Sequence, residues 1–189
     1  MNGNKNCKFR FLDNESKKQH IMKYLLVILF SCLFCFSCQE NKGTEDISPV
    51  NWKKRSVELP KEDSLKVGKS YLSVYSEIYS ITEHRTIALT VTVSLRNVSV
   101  NEPVYLLDAS YYNTKGDLIR TYFEKPVLLN PLETIEIIID EKDTHGGSGA
   151  NFIFDWALGS SGHEPLFEAV MISTSGQQGI SFTTQGVTL

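Results

Sequence analysis

Past residue 38 the chain has no cysteine. Cys7, Cys32, Cys35 and Cys38 are the only four in 189 residues, and three of them precede that point. Residues 39–189 therefore carry no disulfide framework and no thiolate metal site. Histidine is nearly as scarce, at four residues, and no HxH or HExxH spacing occurs. His84 and His145 near Asp143 remain a possible imidazole–carboxylate set only if folding brings them together. No Gly-Lys-Ser/Thr loop opens a helix, which argues against a nucleotide phosphate site. No Gly-x-Ser-x-Gly stands between a strand and a helix, so a hydrolase triad would have to be assembled from unrelated loops. Helical periodicity is missing too: after Lys54 no stretch keeps it over three turns.

A long apolar run is also lacking. The longest, Tyr24–Phe36, is 13 residues of nearly unbroken hydrophobic sequence, short of the roughly 20 a membrane span requires. It suits the h-region of a signal peptide, with Lys17, Lys18 and Lys23 ahead of it. Met22-Lys23 offers an alternative start, which makes residues 1–21 an over-long reading frame. Cys35-Phe36-Ser37-Cys38, followed by polar Gln39-Glu40-Asn41, resembles a bacterial lipobox. The resemblance implies a cysteine that is acylated before cleavage. Ser37 fits the small position and Cys38 the acceptor, while Cys35 stands where Leu is usual. Leu29-Phe30-Ser31-Cys32 fits the letters, but it leaves Leu33–Phe36 exposed after cleavage, so Cys38 is the expected site. An uncleaved signal anchor is the alternative. Two acyl chains give stable anchoring where one is marginal.

Removal of residues 1–37 leaves thirteen Lys/Arg against twenty Asp/Glu, a net charge of −7. Nucleic acid is therefore not an expected partner, because phosphate contacts require a basic face. The expected partners are the lipid membrane, through acylated Cys38, and an envelope protein or glycan. No cofactor is expected.

What the chain does contain is strand sequence. Residues 38–68 read as a lipid-anchored tether with an edge segment at Val57–Pro60, and 69–189 as one β-domain. Arg85–Arg96 alternates Ile87, Leu89, Val91, Val93 and Leu95 with Ala88, Thr90, Thr92, Ser94 and Arg96, the period of a half-buried antiparallel strand. Val104–Asn113 is expected to bury Tyr105, Leu107, Ala109 and Tyr111. Thr114-Lys115-Gly116-Asp117 then turns it into a hairpin with Leu118–Phe123. Thr134–Asp140 buries Ile135, Ile137 and Ile139, with Ile138 on the polar side, and Asn151–Leu158 buries Phe152, Phe154, Trp156 and Leu158. The stretch between them, with Gly146, Gly147, Ser148 and Gly149, reads as the loop of a central hairpin. Strands follow at Leu166–Thr174 and Ile180–Thr184. Short strands separated by turn chemistry predict an all-β, immunoglobulin-like antiparallel sandwich.

Two surfaces are candidates for function. Tyr71, Tyr75 and Tyr79, spaced by four in one extended strand, would line one face opposite Leu72, Val74 and Ile78. Such a row can stack on sugar rings or anchor a protein, or simply cover a sheet under a loop. The second is a loop cluster: His145, Gly146, Gly147, Ser148, Gly149 and Asn151, with Gln177 and Gln178 brought beside them if the strand count is right. Asn151 is expected to tie its side chain to backbone.

Five blocks carry a family resemblance: Tyr75-Ser76-Glu77-Ile78-Tyr79, Ser94-Leu95-Arg96-Asn97, Tyr111-Tyr112 with Gly116, Gly146–Phe152 and Gly176–Phe182. Together they resemble the pattern of a bacterial family called domain of unknown function 3124, from about Tyr71 to the end. In that pattern His is usual where Glu77 stands here. The resemblance implies a small envelope-associated domain and brings no activity or ligand. The expected function is thus a membrane-anchored envelope lipoprotein acting as a non-catalytic binding module. The alternatives are a glycan- or metal-binding accessory protein and, further off, a hydrolase.

Overall fold

A computed structural model describes residues 50–61, 65–174 and 179–189, with Lys23 alone before them. The body lies within Ser48–Leu189 and is an antiparallel β-sandwich, as the strand pattern predicts. Among the described residues no helix is long and apolar enough to cross a membrane.

The chain enters through one helical turn, α1 (Trp52–Arg55), capped by the Asn51 side chain, which accepts from Lys54 N. The strands that follow are β1 (Lys66–Val74), β2 (Glu77–Ser80), β3 (Thr82–Ala88), β4 (Thr90–Arg96), β5 (Val104–Tyr112) and β6 (Leu118–Thr121). After them come β7 (Val127–Leu129), β8 (Thr134–Ile139), β9 (Ala150–Leu158), β10 (Leu166–Ser173), β11 (Ile180–Gln185) and β12 (Val187–Thr188). The first sheet runs β12-β1-β9-β5-β6, with β7 also on β5; the second runs β11-β10-β4-β8; β2 and β3 form a separate ribbon.

Alternation places the core as expected along most strands. Leu72 and Val74 of β1 are buried with Phe152, Phe154, Trp156 and Leu158 of β9. Val91, Val93 and Leu95 of β4 are buried with Ile135, Ile137 and Ile139 of β8, and Ile138 faces out. Burying each such side chain contributes about 1.5–3 kcal/mol, so these two sets of strands carry much of the stability. Trp156 fits because Gly68, its partner in β1, has no side chain; a Cβ there would collide with the indole ring. The buried indole N–H donates to Ser70 Oγ at 3.0 Å, as a buried tryptophan requires.

Three expectations are corrected. First, β8 and β9 are not a hairpin. β8 pairs with β4, and β9 lies between β1 and β5 in the other sheet. Two strands this apolar on one face gain more by facing each other across the core than by lying side by side, so Ile137 and Trp156 meet it from opposite layers. Second, Arg85–Arg96 and Tyr71–Tyr79 each divide. β1 ends at Val74, and the chain bends at buried Ser76, whose N–H and Oγ both donate to Gly147 O. Leu89 N then donates to Ser76 O, so β3 and β4 meet at the same bend. Third, a register shift between Leu106 and Asp108 interrupts the β5–β9 ladder. One extra residue inverts the facing of the strand, so Val104 and Leu106 are buried ahead of it, and Ala109 and Tyr111 after it. Tyr105 and Leu107 are left half-exposed.

The sandwich closes at one corner where β11 leaves the second sheet and β12 joins β1 in the first. Gly186, between them, donates its N–H to Phe167 O at 2.8 Å, and a Cβ there would press on Phe167 and on the Tyr71 carbonyl.

Candidate functional site

Two places gather polar and aromatic groups: the loop end above the β8–β9 crossing, and the outer face of the first sheet.

At the loop end Thr114 is the joint. Its N–H and Oγ1 both donate to Gly146 O, at 3.0 and 2.9 Å, and Oγ1 accepts from Gly149 N at 3.0 Å. The crossing therefore rests on the β5–β6 turn, and through Ser76 on the bend after β1. Gly147 has φ +72°, a conformation open to glycine and strained for other residues. Gly146 lies so close to Tyr111 that a Cβ would strike the phenol oxygen. Gly147–Gly149 form a single 3-10 turn, and the run cradles no ligand geometry; it lets backbone approach backbone.

Beside this joint Asp143 is held by two partners. Arg120 Nη2 binds Oδ2, and His145 Nδ1 lies 2.8 Å from Oδ1. Burial works against the charged carboxylate, but the His145 and Arg120 hydrogen bonds together outweigh it and hold its pKa below the ordinary value. The Arg120 guanidinium also lies 5.8 Å from the Tyr111 ring and 6.0 Å from the Tyr122 ring. Both phenol oxygens are buried without a hydrogen-bond partner among the described residues. Tyr111 approaches Ser76, whose hydroxyl is committed to Gly147 O. Burial pushes the Tyr122 phenol up to about 12 and raises Tyr111 as well, against the pull of Ser76 and Arg120 on the latter. Tyr111 stacks on Phe152 at 4.8 Å, and Tyr122 meets the same ring tilted at 5.7 Å.

His84 does not join this group; it sits 3.4 Å from Glu83 on the exposed ribbon. Among the described residues no three His, Cys, Asp or Glu side chains come together as a metal site would need. Ser148 is half-exposed. Gln177 and Gln178 lie outside the described residues, as does Cys38. Among the described residues the Asn151 side chain makes no tie to backbone; Asn151 occupies β9 opposite Ser73 and Tyr112.

The tyrosine row is also rearranged. Tyr75, at the bend, packs edge-on against Phe182 at 5.7 Å. Tyr79 lies on the ribbon, 62% exposed, next to Ile81, which is 85% exposed at φ +69°. Tyr71 alone stays on the first sheet. There the ladders place it beside Ile153, with Ser110 and Thr121 beyond, and Asn151 beside Tyr112 one pair further along. Lys69, Asp155 and Asp108 form the next row on the same face, and Lys69 binds Asp155. Asp108 accepts from Ser110 Oγ at 2.6 Å. Sequence reasoning placed Tyr105 in the core because the register shift, which swaps the faces of β5 ahead of Asp108, leaves no mark in the alternation; Tyr112 fell on the outward side of that reading but was not singled out.

A cleft of about 810 Å³ lies between the entering segment and the β6–β7 connection, with Trp52, Tyr122, Phe123 and Lys125 in its wall. Trp52 packs against Tyr122 and Phe123 at 6.4 and 5.2 Å, and Ser56 bridges to Val127. The chain therefore packs on the body from Val50 onward, ahead of the edge segment expected at Val57–Pro60.

Antiparallel sandwiches of this kind host many unrelated functions, so the fold alone assigns none. The chain belongs to the family described as protein of unknown function (DUF3124), whose model matches residues 67–189. No curated protein matches it. Among solved structures it is similar to the crystal structure of Thermotoga maritima 1070. That likeness is at 8% identity and a TM-score of 0.42, over 64% of this chain and 92% of that one.

Proposed function

We propose that the protein is an envelope lipoprotein: acylated at Cys38, held to a membrane by that lipid, and presenting its sandwich as a non-catalytic binding module. The observation that carries this reading is the run Tyr24–Phe36, too short to span, ending on Ser37-Cys38 and followed at once by polar residues. A body of net charge −7 beyond it fits a domain held by lipid rather than by basic residues on an anionic surface. The chemistry at the loop end supports binding over catalysis. Arg120, Asp143 and His145 are engaged with one another, and both buried phenols are held neutral well above physiological pH.

Metabolic labelling with palmitate tests the anchor. The wild-type chain should be labelled and sediment with membranes, and Cys38→Ala should leave an unlabelled precursor. Labelling that survives in Cys38→Ala and disappears in Cys32→Ala would move the site. Labelling absent from wild type would make the segment a signal anchor.

A further inference from the structure

The outer face of the first sheet has the composition of a sugar platform. β1 pairs with β9 without interruption, and β9 pairs with Asp108–Tyr112 of β5 in one register beyond the shift after Leu106, so over these rows the outward side chains form a grid with strands about 4.8 Å apart. Tyr71 and Tyr112 stand two strands and one pair apart on this grid, roughly 12 Å, a distance a disaccharide bridges. Ile153 and Asn151 lie between them. Both tyrosines are half-exposed, and neither their hydroxyls nor the Asn151 amide has a hydrogen-bond partner among the described residues. Aromatic faces with free hydroxyl and amide groups at their rims suit a pyranose, which presents C–H on its faces and hydroxyls around its edge.

We propose that this face binds a neutral oligosaccharide chain, laid along β9 from Tyr112 and Tyr71 toward Asp155 and Asp108. The choice of occupant follows from charge and composition. Two carboxylates face a single Lys69, which leaves the surface negative and repels anionic polymers and lipid headgroups. A protein partner fits poorly, because centres of protein interfaces are depleted in Asp, Lys and Ser, and those residues occupy the middle rows here. For a sugar, Asp108 and Asp155 are acceptors set where hydroxyl groups arrive. The proposal rests on the reading of the sandwich as a binding module, and names what it binds.

The test uses the full-length chain, purified in detergent, titrated with N-acetylglucosamine and glucose oligomers as neutral probes and with polygalacturonate as the anionic one. Binding to at least one neutral oligomer is expected, with no binding to polygalacturonate. Tyr71→Ala and Tyr112→Ala should each weaken it by roughly tenfold while the melting temperature stays within error. Absence of neutral-sugar binding, preference for the anionic polymer, or affinity unchanged in both variants would overturn the proposal. Cys38→Ala should bind sugar as wild type does, so loss of palmitate labelling with sugar binding intact affects only the native anchor. Labelling with no sugar binding would remove only the platform.

Discussion

Asn97 ties one end of the sandwich and Thr114 the other, and the two ties differ in what surrounds them. Asn97 is 2% exposed. Its Nδ2 donates to the carbonyls of Glu102, Leu129 and Asn130 at 2.8–3.1 Å, and its Oδ1 accepts from Ser99 N at 2.9 Å. One neutral amide thereby gathers two connections, and all its polar atoms are engaged. Thr114 likewise gathers two connections, but the charged pair Arg120 and Asp143 stands beside it with His145, and two buried phenols there have no hydrogen-bond partner among the described residues. At the first end the Asn97 side chain makes only neutral hydrogen bonds, all of them satisfied. The second combines charge, glycine and unmet polar groups, so its contribution to stability must vary with pH where that of Asn97 does not.

Asn97→Ala should therefore give the largest effect. It strands three carbonyls and one N–H that are largely out of water, at about 1–3 kcal/mol for a badly buried group and less where water enters. A total near 3 kcal/mol is expected, which lowers the melting temperature by roughly 10 °C for a body of this size. Calorimetry of wild type and variant checks it. A shift under about 2 °C would mean that water replaces the amide and that this end is open.

Asn97 was not legible in advance, and the reason is physical. Its segment reads as a turn from composition, and turn composition says nothing about which distant carbonyls converge. The cores of β4, β8 and β9 were legible because burial on one face of a strand imposes period two on the sequence. The same periodicity gives a face and no partner, which is why β8 and β9 looked like a hairpin. Tyr71–Tyr79 looked continuous because Ser76, where it breaks, falls between Val74 and Ile78 on the side expected to be dry, and one small polar residue does not interrupt that alternation; its real role is to bind Gly147. Of the candidate site, His145 and the glycines were found as a loop. Arg120 was hidden, since a lone arginine in a strand carries no pattern.

The Asp143 cluster sharpens the comparison with a smaller effect. The folded pKa of Asp143 lies below the ordinary 3.8, so its contribution is complete above that value and is lost as pH falls through the depressed folded one. Asp143→Asn should cost about 1 kcal/mol near pH 7, because Arg120 and His145 are partly exposed and solvent screens them. The gap between variant and wild type should close below about pH 3.8. Glu133 is the counterpart near Asn97: burial opposes its charge, yet bonds from Asn130 and Arg55 lower its pKa. Asn97→Ala should nevertheless keep its full cost in acid, as no titrating group takes part in its four bonds. Denaturant melts at pH 7 and 3 compare the two variants directly, and a cost of Asn97→Ala that disappeared in acid would break the contrast.

The smallest effect is expected at Tyr122, and its direction is the informative part. A hydroxyl buried without a partner has lost its water and gained nothing in return, so removing it should be neutral or slightly stabilising. Phe keeps the ring that packs against Trp52 and Phe152. Tyr122→Phe should change stability at pH 7 by less than about 1 kcal/mol. In alkali the variants should separate. The folded pKa of Tyr122 is raised from 10.0 to about 12, so its favourable state is the neutral phenol. That advantage is whole below pH 10 and is lost as pH rises through 12, on the order of 2–3 kcal/mol over the window. Tyr122→Phe lacks the group and should lose less stability between pH 9 and 11.5 than wild type, as read by urea midpoints. A loss of more than about 1 kcal/mol at pH 7 would mean that the phenol has a hydrogen-bond partner and that this end is as saturated as the one Asn97 closes.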